Sequence, residues 1–225
     1  MNNLQKTGAY LENQIKFNTK IALIFLVIGL VTLFFYVGII FIGISIYFFT
    51  KRSHYKSGYS GEQRVIESLQ KLPDSYYLIN DVNLPNGYGN IDHVVLGSNG
   101  IFIIETKNFE GEIRCEGDNW YQYKDTWEIP EEYEIKSPSK QVKGNALKLK
   151  QYIESKNIFG KSLRLWVEGM VVFSHDNVIL HCNNPTVPVF KVSQQLGNYI
   201  QNRESKIKFS SQELKNVAKI LLRQV

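Results

Sequence analysis

Cysteine is scarce in this 225-residue chain: only Cys115 and Cys182 occur, with no Cys-x-x-Cys. That excludes a disulfide framework and a zinc knuckle, and it fits two buried thiols in a reducing compartment. A Walker loop, a dinucleotide fingerprint and any Ser/His/Asp or Cys/His arrangement are also missing, so nucleotide-cofactor chemistry and acyl transfer find no support. His175 and His181 flank an expected turn at a poor ligand spacing and read as structural. No repeat or low-complexity tract is present, and a hydrophobic share of 44% excludes wholesale disorder. Acid is in deficit: 21 Asp and Glu stand against 26 Lys and Arg, a net charge of +5. An anionic partner follows, nucleic acid or lipid headgroups, without a choice between them.

Charge of either sign is absent from residues 21–50, which are almost wholly Ile, Leu, Val, Phe, Gly and Tyr. About 20 such residues cross the hydrocarbon core, so a single tilted transmembrane helix is expected, with Gly29, Gly38 and Gly43 tolerated in lipid. A two-helix hairpin turning at Tyr36 to Gly38 is the alternative, each arm being short for a full span. The run exceeds a signal-peptide core, and no small-residue cleavage site precedes Lys51. Lys51, Arg52 and Lys56 follow the run, while Lys16 and Lys20 precede it beyond Glu12. This asymmetry favours a cytosolic C-terminal side, so a plasma-membrane protein with its C-terminal domain in the cytoplasm is expected, a surface-exposed domain being the alternative. The expected organisation is a tail at 1–20, the transmembrane segment at 21–50, a basic linker at 51–59, the main domain at 60–192, and C-terminal helices at 193–225 packing on it.

The most informative stretch is 90–108, Asn-Ile-Asp-His-Val-Val-Leu-Gly-Ser-Asn-Gly-Ile-Phe-Ile-Ile-Glu-Thr-Lys-Asn. Two β-branched and aromatic runs flank Gly97-Ser98-Asn99-Gly100, which predicts a tight antiparallel hairpin. With Ser98 and Asn99 as the loop, counting outward from Gly97 facing Gly100 brings Asp92 opposite Glu105. Such side chains stand about 4.5–5.5 Å apart at Cβ, and like charges repel there. Val94, Leu96, Ile101 and Ile103 share their face, while Ile91, Val95, Phe102 and Ile104 take the other. Both faces are apolar, as in a buried strand pair. A carboxylate pair in that setting needs a proton, a base or a cation, and a divalent metal is the economical answer. Lys107 returns to the same face two residues after Glu105, and His93 points to the opposite one.

An Asp closing one strand and Glu-x-Lys on the next resembles the active site of the PD-(D/E)XK nuclease superfamily. More narrowly, the ordered set Gly61-Glu62, Ile91-Asp92-His93, Gly100-Ile101-Phe102, Glu105-Thr106-Lys107-Asn108, Gly111, Trp120 and Pro138-x-x-Gln141 resembles the NERD, or nuclease-related, domain over about residues 58 to 150. Ser137 stands where the family often has Asn, and Asn90-Ile91 replaces the superfamily's Pro before the Asp; neither departure removes a ligand. The resemblance implies an α/β fold: a restriction-endonuclease-like mixed central sheet flanked by helices, here preceded by a transmembrane helix. It also implies hydrolysis of phosphodiester bonds in nucleic acid, DNA above all. Mg²⁺ or Mn²⁺ would be held by Asp92, Glu105 and the backbone carbonyl of Thr106. Glu62 would be an auxiliary acid at the metal, and Gln141 would position water or phosphate. Lys107 would orient the attacking water, since an unperturbed pKa near 10.4 suits orientation better than proton abstraction. Two other readings stand beside this one. The first is a catalytically inactive membrane-tethered module that binds nucleic acid or protein. The second is a structural ion cluster in which Lys107 neutralises Asp92 and Glu105.

Around this centre, Ser60-Gly61-Glu62-Gln63 reads as a capping box opening a helix whose stripe is Val65, Ile66, Leu69 and Leu72, with Glu62 on the same stripe. Residues 76–82 form the first strand, and Pro85-Asn86-Gly87-Tyr88-Gly89 turns into the second. Short strands at 112–116 and 120–123 complete a meander, and 125–134 is an acidic, aromatic excursion. Ser137-Pro138 caps a helix reaching Ser155, whose Lys140, Lys143 and Lys148 are equally a solvated face and a phosphate contact. Further strands are expected at 163–167, 170–173, 178–180 and 187–192. Ser193 and Ser210 cap two closing helices, the second with a capping box to Glu213 and a Leu214, Val217, Ala218, Leu221 stripe.

Overall fold

The computed structural model describes residues 2–3, 9–32, 38–85, 90–124, 131–159, 165–205 and 207–224. The chain divides into two compact units: Gly8–Ser60, and Met1–Thr7 with Gly61–Val225. In chain order the elements are β1 (Asn2–Asn3), α1 (Ala9–Thr32), α2 (Gly38–Leu69), β2 (Tyr77–Asn83), β3 (Asn90–Gly97), β4 (Gly100–Lys107), β5 (Gly111–Glu116), β6 (Asn119–Lys124) and β7 (Glu131–Ile135). There follow α3 (Pro138–Ser155), β8 (Val167–Phe173), β9 (Val178–Asn183), β10 (Val189–Lys191), α4 (Gln194–Asn202) and α5 (Ser211–Leu221).

In the larger unit, the expected hairpin is β3–β4, with Gly97 facing Gly100 and His93 facing Ile104. Its turn is fastened from outside: Asn99 accepts from the Tyr76 hydroxyl (2.9 Å) and donates to the carbonyls of Ile200 (2.6 Å) and Arg203 (3.1 Å) at the end of α4. The hairpin lies inside a mixed sheet ordered β1-β2-β3-β4-β8-β10, with β8 parallel to β4. Parallel neighbours require a crossover, and α3 supplies it. On one face Val94, Leu96, Ile101 and Ile103 pack with Val142 and Leu149 of α3 and with Leu214 and Val217 of α5. On the other face Val95, Phe102 and Ile104 pack with Val65, Ile66 and Leu69 of α2 and with Leu196 and Ile200 of α4. Each such side chain contributes about 1.5–3 kcal/mol when fully buried. The mixed sheet between helical layers is thus the expected α/β architecture.

Several local expectations are corrected. Strands β5 and β6 do not extend the central sheet. They belong to a second one, ordered β7-β6-β5-β9, in which β9 runs parallel to β5. Buried Trp120 couples this sheet to the first by stacking on Phe173, ring centroids 5.6 Å apart, and donating to Ser139 Oγ at 3.0 Å. Residues 131–134 of the supposed excursion belong to strand β7, because β6 offers them an antiparallel partner; residues 125–130 lie outside the described residues, as do 86–89 of the turn and 160–164 before β8. Ile91 leaves the Val95 face and packs with the Val94 face. The ladder passes from Asn80–His93 to Val82–Ile91 and skips Asp81 and Asp92, where Asp81 has φ +54° and turns the strand. Finally, Ser60 does not start a helix. α2 is continuous through 51–59, a stretch with no proline to interrupt it. The caps at Ser137, Ser193 and Ser210 form as expected, the last with its full capping box.

In the smaller unit, the single helix expected over 21–50 is replaced by two, α1 and the first part of α2, with 33–37 outside the described residues. They run antiparallel: Ser45 Oγ donates to the Ala22 carbonyl at 2.8 Å, and Phe25 stacks on Phe41 and Phe48. Gly29 makes the crossing possible, since a Cβ there would lie 2.9 Å from Ile42 Cγ1 and 3.0 Å from the Gly38 carbonyl. α1 remains long and apolar enough by composition to cross a membrane.

Candidate active site

The site forms where β3 and β4 part. Asp92 does not join the ladder; its Oδ2 accepts from the Thr106 N–H at 2.8 Å, a carboxylate replacing a strand carbonyl. Glu105 is 3% exposed, and its Oε1 receives the Lys107 ammonium at 2.6 Å. Lys107 also donates to Gln141 Oε1 at 3.3 Å, so α3 reaches the strand end through that amide. Asn145, one turn further along α3, donates to the Asn90 carbonyl at the start of β3 (3.4 Å). Glu62 arrives from α2. Gly61 lets the helix approach: a Cβ at that position would collide with Ser174 Oγ and stand 2.9 Å from the Asn108 Cβ.

Electrostatics set the corner apart. Burial, then the charges of Asp92, Asp81 and Glu105, pushes the Glu62 carboxyl up to about 9. Burial and the neighbouring Glu105 raise Asp92, against the Thr106 N–H and Lys107, which lower it. Glu105 is raised by burial and held back by Lys107 and, more weakly, by Lys136. Opposite charge is therefore in short supply where acid is concentrated. The Glu62 Oε2 atom is buried and finds no hydrogen-bond partner. Among the described residues no three His, Cys, Asp or Glu side chains lie close enough to form a metal cluster by themselves. An all-oxygen set of this kind suits a hard cation that keeps water in its shell and takes further oxygens from backbone and ligand.

His93 lies on the other side of β3, as expected, and is fully buried. Its Nδ1 stands 2.8 Å from Asn80 Oδ1 and its Nε2 3.1 Å from Thr106 Oγ1. An amide oxygen only accepts, so Nδ1 carries the proton and Nε2 accepts from the Thr106 hydroxyl. Burial holds the ring neutral, its pKa lowered to about 3. This bridge spans β2, β3 and β4 and fixes Thr106, whose carbonyl was the expected backbone ligand.

Sequence reasoning missed Asp81 and Asn80. Asp81 is 3% exposed, accepts from Asn90 Nδ2 at 3.0 Å, and adds to the charge felt by Glu62 and Asp92. The signal available was a polar pair inside an apolar strand. Of the α3 lysines expected to contact nucleic acid, Lys143 is already engaged. Lys143 pairs with Asp118 at 2.6 Å and meets Thr186 at 3.0 Å, Lys140 is exposed on the first turn, and Lys148 is half-buried.

A family model for the nuclease-related domain matches residues 57–174. An uncharacterized protein of Bacillus anthracis is 45% identical over 58 residues, 24% of this chain and 27% of that protein. The chain thus spans about a quarter of the length of this curated relative. No solved structure matches. With more than half of its length inside the family model, and with Glu62, Asp92, Glu105, Lys107 and Gln141 converging in one corner, the chain belongs to the NERD, or nuclease-related domain, family.

Proposed function

We propose that the protein is a metal-dependent nuclease that hydrolyses phosphodiester bonds of nucleic acid, DNA being the intended substrate, and that its apolar N-terminal residues attach it to a membrane with the nuclease-related domain in the cytoplasm. The observation that carries this reading is the Lys107 ammonium held between Glu105 and Gln141 beside the buried, mutually repelling Asp92 and Glu62. Asp92, Glu105 and the Thr106 carbonyl would hold Mg²⁺ or Mn²⁺, with Glu62 as auxiliary acid. The ion would supply charge stabilisation at the phosphate and a more acidic water. Lys107 orients the attacking water and offsets phosphate charge, as a positioned cation does in phosphoryl chemistry. Gln141 fixes the ammonium, and the His93–Thr106 bridge fixes the backbone between the two acidic strands. Attack at phosphorus breaks the bond to the leaving sugar oxygen, which takes up a proton.

The test is time-resolved cleavage of plasmid, linear and single-stranded DNA by the full chain in detergent with Mg²⁺ or Mn²⁺, beside a folded Glu105→Ala variant. Metal-dependent cutting that disappears in the variant supports the assignment. A second reading draws on the ion pair itself: Lys107 already neutralises Glu105, as in a structural cluster within a non-catalytic binding module. On that reading Lys107→Ala loses the fold, at a cost of about 3–5 kcal/mol, and the well-folded wild-type protein neither cuts nor binds metal.

A further inference from the structure

We propose that residues 8–60 form a helical hairpin that enters the lipid bilayer and returns to the same side, placing the N-terminus and the nuclease-related domain on one face. The inference rests on the membrane attachment proposed above and replaces the single crossing with a re-entrant one.

The chain path is the first argument. Asn2 and Asn3 pair in parallel with Tyr77 and Leu78 of β2, so the residues ahead of α1 belong to the unit that holds the active site. A strand cannot pair with a partner across a bilayer. The chain must therefore leave that unit at Thr7 and come back to it at Gly61 without a net crossing.

The distribution of side chains in the hairpin is the second. Its fully buried positions are small or polar, Asn18 (1% exposed), Ala22 (0%) and Gly29 on α1 and Gly38 and Ser45 (1%) on α2, beside half-buried Phe25 stacked on Phe41 and Phe48. Its outer surface is large and apolar, with Val27 59%, Leu30 60%, Val31 75%, Ile39 62% and Ile40 64% exposed. In water such a pair would turn these residues inward, since burying apolar surface is favourable there. Small residues inside and bulky aliphatic ones outside is the arrangement of helices solvated by acyl chains.

Length and charge complete the case. The uncharged arms, 21–32 and 38–50, rise about 18 Å and about 20 Å at 1.5 Å per residue, against a hydrocarbon core about 30 Å thick. Lys16, Lys20, Lys51 and Arg52 all fall at the open end of the antiparallel pair, where anionic headgroups would meet them.

The full chain with an epitope at each end is expressed in a bacterial host; its membranes are washed at alkaline pH, and sealed spheroplasts are treated with a protease that cannot cross the membrane. Retention through the wash, with both epitopes protected until detergent opens the cells, is the expected result. Both epitopes cut in sealed spheroplasts would keep the hairpin and overturn the cytoplasmic placement. One epitope cut and the other protected would overturn the hairpin while leaving membrane attachment intact, and loss of the N-terminal epitope by processing would overturn the hairpin in favour of a signal sequence. Release in the wash would overturn the attachment itself, and the hairpin with it.

Discussion

At the scale of single residues, the corner around Asp92 sets function against stability. Glu62 keeps a proton up to about pH 9 in the fold, whereas in the unfolded chain it releases it near its ordinary value of 4.5. The folded state then binds more protons between those values, so stability of the metal-free protein falls as pH rises from about 4.5 to about 9. Thermal melts across that range should show this slope, Glu62→Gln should flatten it, and Mg²⁺ should oppose it most strongly at the alkaline end, where protons no longer compete. His93 acts with the opposite sign: its folded pKa of about 3 lies below the ordinary imidazole value of 6.5, so stability is lost as pH falls through that interval. Gln141→Ala separates positioning from folding. It should leave the melting temperature nearly unchanged and, on the proposed nuclease function, lower the cleavage rate by about 10²-fold, the scale of a misplaced catalytic group; an unchanged rate in an active protein would remove Gln141 from the proposed site. Glu105, Lys107 and Asp92 could be brought together from the sequence because a two-residue turn fixes the register from Gly97–Gly100 as far as His93–Ile104, which leaves Asp92 beside the Glu105–Thr106 step even though it does not join the ladder. Asp81 could not, because the connection from β2 to β3 passes through a longer turn that sets no register.

At the scale of elements, what is local proved legible and what depends on distant partners did not. Ser137, Ser193 and Ser210 act as N-caps because a cap needs only its own side chain and an amide two or three residues on. Ser210→Ala should accordingly cost about 1 kcal/mol, a fall of about 2–4 °C in melting temperature for a domain of this size. Ser60 carries the same local signal and yet lies inside α2, since the preceding turns are already helical and leave its neighbouring amides satisfied. The second sheet was hidden for a related reason. Strand character at 111–116 and 119–124 is visible in the residues, but the choice of β9 rather than β4 as neighbour is made by pairing with residues more than 60 positions away.

At the scale of the whole molecule, the uncharged run 21–50 announced an apolar segment and offered its division at Tyr36 to Gly38 only as the alternative to a single helix, because the choice depends on the close approach at Gly29 and the Ser45–Ala22 bond between helices. The pairing of Asn2 and Asn3 with β2 has a further consequence for how the protein can be handled. Those few residues occupy backbone donors and acceptors of β2 that a shortened chain would leave unpaired, and an unprotected strand recruits strands from other molecules. A fragment beginning at Gly61, made to avoid the apolar helices, should therefore self-associate through β2, whereas a charged residue placed on it, as in Tyr77→Lys, should restore monomers. Light scattering on the two fragments would decide the matter, with a monomeric unmodified fragment contradicting it. On this prediction the short N-terminal strand shields the Tyr77–Leu78 edge of β2 from other molecules, and cutting it away exposes that edge.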